Sequence, residues 1–193
     1  MTTNKIVIEK FDNAVKSIVD KKVIEKKKGN EIVIIEDQKI AAKNSKNVQV
    51  RIRRIGNNSF AFKMDIRPHN VYLLDRPTMI NDELVLRVEE EKITAFILEL
   101  KSKDPKKARK QICYGKQYAD FLIGILELEM DYFFKEKEYR GYVFTTNTKY
   151  RRPVVRSGYL SKEKTDQEIG DIYIKYLGDA PSYDFGELGL EIR

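Results

Sequence analysis

One cysteine, Cys113, one histidine, His69, and no tryptophan stand among the 193 residues of this chain. A lone cysteine excludes an internal disulfide framework and a cysteine-rich zinc site, and it predicts an intracellular, cytoplasmic setting. A lone histidine excludes histidine-pair metal centres. His69 lies between Pro68 and Asn70 in a stretch that reads as a loop, and no Cys–His spacing makes Cys113 a nucleophile. With only 5 prolines and 10 glycines, the chain is neither low-complexity nor compositionally disordered. No apolar run approaches the roughly 18–20 residues of a membrane helix, and charge returns too early for a signal peptide. Walker and Rossmann glycine signatures are missing, which argues against nucleotide-driven chemistry.

What is present suffices for a core: 41% hydrophobic residues, including 11 tyrosines and 9 phenylalanines, in a length that suits one domain. The net charge of +7 comes from 37 basic and 30 acidic residues, a balance that allows a polyanionic partner. Its distribution is uneven. Residues 101–110 hold six basic side chains against one Asp, and Lys149, Arg151, Arg152 and Arg156 form a second group. Asp179, Asp184, Glu187 and Glu191 make the last stretch acidic.

Periodicity predicts a first helix over residues 6–20 with Ile8, Phe11, Val15, Ile18 and Val19 on one face. Strands are expected at 31–36, 48–55 and 59–64, the last two joined as a hairpin by Gly56-Asn57-Asn58, with another at 71–74. Leu84, Leu86 and Val88 alternate; Glu89 to Lys92 makes a turn; residues 93–100 then run almost unbroken apolar, as in a strand covered on both faces. Asp104-Pro105 suits an N-cap and first helical position. The helix that follows carries Ala108, Gln111, Ile112, Gly115, Tyr118, Ala119 and Leu122 near one stripe. A strand at 139–146 returns after it, which favours local parallel pairing, while 165–177 fits helix and strand equally. One domain spans 1–193: an N-terminal elaboration to 80, a core at 81–146 and a C-terminal extension from 147.

The chemistry concentrates at one end of the central hairpin. Period two puts Glu99 and Lys101 on one face of their strand with Ala95 and Ile97. Two charged side chains ending an apolar face emerge either into solvent or into a site. The tight turn makes Val88 and Ile93 neighbours, so residues 82–83 come level with 98–99. One carboxylate from each strand can then reach a common hard cation. Lys101 would lie close enough to stabilise negative charge or orient water. Gln111 sits on the apolar stripe of the next helix, where a long amide needs partners.

This order resembles the PD-(D/E)xK restriction-endonuclease-like superfamily, which has an acid on the second core strand, Glu/Asp-x-Lys on the third, then a helix carrying a Gln. Here these are Asp82, Glu99-Leu100-Lys101 and Gln111, with Asn81 in the place of the proline. The resemblance covers residues 80–125 and the strand at 139–146. It implies an α/β (α+β) fold, a restriction-endonuclease-like core with a central mixed β-sheet flanked by helices. It also implies Mg²⁺- or Mn²⁺-dependent hydrolysis of a phosphodiester, in DNA first and RNA as the alternative, in restriction, phage defence, repair or mobile-element biology. Asp82, Glu99 and the Leu100 carbonyl would hold the metal and Lys101 would assist the water. The helical Glu of the superfamily falls to Glu9, with Glu36 as rival. Lys103, Lys106, Lys107, Arg109, Lys110, Arg151, Arg152 and Arg156 would meet the nucleic-acid backbone. The alternatives are a lapsed nuclease that only binds nucleic acid, or a structural protein with a protein partner. A homodimer suits a double-strand cut.

Overall fold

Helix α1 (Thr3–Ile18) opens the chain, and strands β1 (Ile32–Ile35), β2 (Gln49–Arg53) and β3 (Ser59–Lys63) follow. The central hairpin is β4 (Glu83–Val88) and β5 (Lys92–Lys101); helix α2 (Ala108–Met130) leads to β6 (Glu136–Thr145). Strands β7 (Ser161–Asp166), β8 (Gly170–Tyr176) and β9 (Ser182–Asp184) complete the order. The structure, a computed structural model, describes residues 3–25, 30–35, 49–64, 81–101, 108–146, 161–166, 170–176 and 182–185. The expected strand at 71–74 and the Asp104-Pro105 cap lie outside them, as do Glu36, His69, Lys103, Lys106, Lys107, Arg151, Arg152 and Arg156.

Two sheets form. The larger has the order β3-β4-β5-β6-β8-β7 and is mixed: β5, β6 and β8 run parallel, and the other neighbours pair antiparallel. The smaller has the order β1-β2-β9, with β1 antiparallel and β9 parallel to β2. The parallel β5–β6 pair fits the strand–helix–strand reading, since α2 must carry the chain back before β6 starts. In the ambiguous 165–177 stretch the described residues are strand: 165–166 end β7 and 170–176 form the antiparallel β8.

Alternation along the strands of the large sheet separates two cores. Leu84, Leu86, Val88, Ile93, Ala95, Ile97 and Val143 face α1 and α2, where Phe11, Val15, Ile112, Ala119, Ile123 and Leu126 meet them. Val85, Phe96, Leu98, Leu100, Tyr142, Phe144 and Tyr173 face the small sheet, meeting Ile32, Ile34, Val50, Ile52 and Phe185. Both described helices thus lie on one face, and a second sheet covers the other. The expected sheet flanked by helices becomes helices, sheet and sheet in three layers. Aromatic rings pack in this second core: Phe96 lies 4.8 Å from Phe185, and Tyr142 stacks on Tyr173 at 5.0 Å between ring centroids.

Three expectations need correction. Strands β2 and β3 are not a hairpin, because Gly56-Asn57-Asn58 hands the chain from the small sheet to the large one. There Asn58 binds the end of β4, its carbonyl accepting from Val88 N–H at 2.8 Å and its amide donating to Val88 O at 3.1 Å. The buried stripe of α1 is Val7, Phe11, Ala14 and Val15, and Ile18 is exposed. Tyr118 is exposed as well, since Ala108, Ile112, Gly115 and Ala119 already fill the contact of α2 with the sheet.

Candidate functional site

Antiparallel pairing sets Glu83 opposite Leu98 and Val88 opposite Ile93, and one further step of that register brings Asp82 opposite Glu99. The two acids interlock through backbone. Asp82 N–H donates to Glu99 Oε2 at 3.2 Å, and Leu100 N–H donates to Asp82 Oδ2 at 2.6 Å. Lys101 Nζ stands 2.5 Å from Glu99 Oε1. Asp82, Glu99 and Lys101 are therefore brought together on the helix-facing side of the sheet. Glu99 is 0% exposed and the Lys101 side chain 27%, so this strand end is covered and does not run into open solvent. The N–H and C=O of one strand residue point to the same strand edge. The Leu100 carbonyl accordingly faces the same edge as Asp82.

Helix α2 crosses β5 so closely that a Cβ on Gly115 would fall 2.5 Å from Ile97 Cγ2 and overlap Asn81 Oδ1. Gln111 lies one helical turn before Gly115, and Glu99 lies two residues beyond Ile97 on its strand. Both steps span about 6 Å, so the half-buried Gln111 is level with Glu99. Arg109 and Lys110 are exposed on the same first turn. Glu9 is not in this cluster: it is exposed on α1, 3.9 Å from Lys5, on the side away from the buried Val7–Phe11 stripe.

Two buried polar residues at this strand end carried no role in the sequence reading. Asn81 is fully buried; its Nδ2 donates to Glu83 O at 2.6 Å, while its Oδ1 has no hydrogen-bond partner among the described residues. Its one signal was position, the residue before the acid. Glu83 points the other way, toward the small-sheet face, 3% exposed with Oε1 likewise unpartnered. Two adjacent acids on a strand cannot both face one site, and the register chooses Asp82.

Burial pushes Glu99 up to about 8, the neighbouring Asp82 adds to the rise, and the Lys101 ammonium opposes it. Glu83 is also pushed up to about 8, first by burial and then by Asp82, against Lys63 on β3. Both carboxyls hold a proton in the folded chain over a pH range where the unfolded chain has released it. Stability from these groups is full below the ordinary carboxylate range near 4.5 and drains away as pH rises toward 8. In chelator, the melting temperature is expected to fall between about pH 5 and pH 9, and Glu83→Gln should fall by several degrees less. A Glu83→Gln melting curve that tracks the parent protein at every pH would contradict this account.

Among the described residues no group of three or more His, Cys, Asp or Glu side chains is arranged to hold a metal ion. The donor set at the strand ends is two carboxylates with a backbone carbonyl beside them. That suits magnesium, which is commonly held by one or two carboxylates with water and substrate phosphate completing its shell. Comparisons with protein-family models, with curated proteins and with solved structures return no match.

Proposed function

We propose that this protein is a metal-dependent nuclease that hydrolyses phosphodiester bonds, in DNA first, at the ends of β4 and β5. The observation that carries the reading is the convergence of Asp82, Glu99 and Lys101 on one side of the sheet, locked by reciprocal backbone hydrogen bonds. The order of the large sheet supports it: after α1, and after β1 and β2 of the small sheet, come β3, β4, β5, α2 and β6, with the acid entering the second strand of the large sheet and Glu-x-Lys ending the third. That is the arrangement on which the resemblance to the PD-(D/E)xK superfamily rests.

Asp82, Glu99 and the Leu100 carbonyl would hold Mg²⁺ or Mn²⁺. When bound, the cation polarises a water and a phosphoryl oxygen and offsets the charge that burial now forces Glu99 to neutralise. The chain's own residues do the remainder. Ionised Glu99 would supply the negative charge a cation needs, and Lys101, 2.5 Å from it, is placed to hydrogen-bond the attacking water or the phosphate. Gln111 stands level with them on α2. Arg109 and Lys110, exposed at the start of that helix, supply backbone contacts that raise affinity without reading sequence.

A second reading, nucleic-acid binding without cleavage, is favoured by one observation: the described residues offer two carboxylates and no third metal-ligating side chain. One assay separates the two. The protein is incubated with linear duplex, supercoiled and single-stranded DNA and with RNA, in Mg²⁺ or Mn²⁺. Cleavage of at least one DNA form, stopped by chelator, is the expected result. Binding with no cutting in either metal selects the second reading. No binding at physiological salt removes both and leaves a protein partner.

A further inference from the structure

Helix α2 has two apolar stripes, and the sheet uses only one of them. The inner stripe of Ala108, Ile112, Gly115, Ala119, Ile123, Leu126 and Met130 is buried. On the outer side Tyr114, Tyr118, Phe121, Ile125 and Leu128 are exposed by 42%, 41%, 66%, 38% and 67%. Single exposed hydrophobic residues need no explanation, but a continuous row of five does. The steps between these residues are 4, 3, 4 and 3, the alternation by which two helices interdigitate side chains along a seam.

We propose that two copies of this chain associate through α2, antiparallel about a twofold axis near Phe121. Charge chooses both occupant and direction. Arg109 and Lys110 are exposed before the seam, and Glu129 and Asp131 are exposed after it. Antiparallel packing centred on Phe121 sets Tyr114 against Leu128 of the partner subunit. It also brings Lys110 within one residue's rise of the partner's Asp131, a proximity the twofold axis repeats. Parallel packing would bring basic end to basic end and align both helix dipoles unfavourably. The seam is therefore complementary to itself, the property a twofold homodimer requires. If each side chain carries about 200 Å² of surface, the exposed fractions give roughly 500 Å² per copy. The pair then buries roughly 1,000 Å², the lower bound for a specific interface, before any flanking residue is counted. This association rests on α2 alone and holds whether or not the strand-end site cuts nucleic acid.

Sedimentation or light scattering of the whole chain tests it. A dimer is expected at micromolar concentration, with Phe121→Glu/Leu128→Glu weakening it by at least about 100-fold and leaving the circular dichroism unchanged. Ile125→Lys serves as an independent single variant should the double one fail to fold. Direction is read by disulfide trapping in a Cys113→Ser background. A mixture of Lys110→Cys and Asp131→Cys proteins should cross-link on oxidation, and neither alone should do so. A monomer persisting to about 100 µM, a dimer indifferent to these substitutions, or self-cross-linking of Lys110→Cys would each overturn the proposal.

Discussion

Glu99→Gln and Lys101→Met are each expected to lower metal-dependent cleavage at least a thousandfold, on the order of 4 kcal/mol of transition-state stabilisation, with the fold retained. Glutamine is the informative replacement at position 99. The fully buried Glu99 accepts the Asp82 N–H through Oε2, and an alanine would lose that bond and open a cavity. Glutamine keeps an acceptor and the volume while removing the negative charge a cation needs. Because Glu99 is held in its protonated form by burial, the neutral amide should be at least as stable as the parent near neutral pH. Lys101→Met leaves the glutamate without its cation, which the glutamate answers by keeping its proton, so folding survives there too. Activity within about tenfold of the parent in both variants would move the chemistry elsewhere.

Gly115→Ala is expected to cost about 2–3 kcal/mol, and Gly115→Val about twice that, a large share of the total stability of a domain this size. The added methyl would overlap Asn81 Oδ1 and meet Ile97 Cγ2 at 2.5 Å, so these buried side chains or α2 itself must shift. Helix propensity pulls the other way by up to about 1 kcal/mol, less than the packing loss. Gly124 in the same helix has nothing within 4 Å of an added Cβ, so Gly124→Ala should stabilise by the propensity gain alone. Chemical denaturation of both variants at one protein concentration gives the comparison. Equal shifts would mean that the close approach of α2 to the sheet carries no energy. The methyl also presses on Asn81, the neighbour of Asp82, so Gly115→Ala should lose cleavage beyond what its stability explains.

The centre of the fold was legible in the sequence because its signals are local. Leu84, Leu86 and Val88 alternate, the acidic turn at 89–92 closes a hairpin, and period two then forces Glu99 and Lys101 onto one face. The inner positions Ala108, Ile112, Gly115 and Ala119 of α2 follow from spacing in the same way, but the helix runs unbroken to Met130, past the Leu122 at which the expected stripe ended. The remainder depended on partners that spacing does not name. Gly56-Asn57-Asn58 is good turn chemistry, but a turn does not say whether the next strand returns to the same sheet, and here β3 goes to β4. Strand β2 pairs in parallel with β9, more than a hundred residues on, a match set by the shared hydrophobic layer and by no local motif. Ile18 and Tyr118 fit helical stripes by period, yet the sheet left no room for them. Glu9 had order alone in its favour, and the buried face of α1 turned it outward.

The late arrival of β9 bears on how the polypeptide emerges during synthesis. Strands β3 to β6 and both helices can assemble once residue 145 has left the ribosome, at the usual pace of roughly 5–20 residues per second. Until residues 182–185 follow, β2 lacks its parallel neighbour and Phe96 lacks Phe185. For those seconds the aromatic side of the large sheet has an incomplete cover, and a nascent chain stalled in that interval would present it to other stalled chains. Slow emergence of residues 146–182 should therefore raise the demand for chaperones, whereas slow emergence of residues before 59 should not.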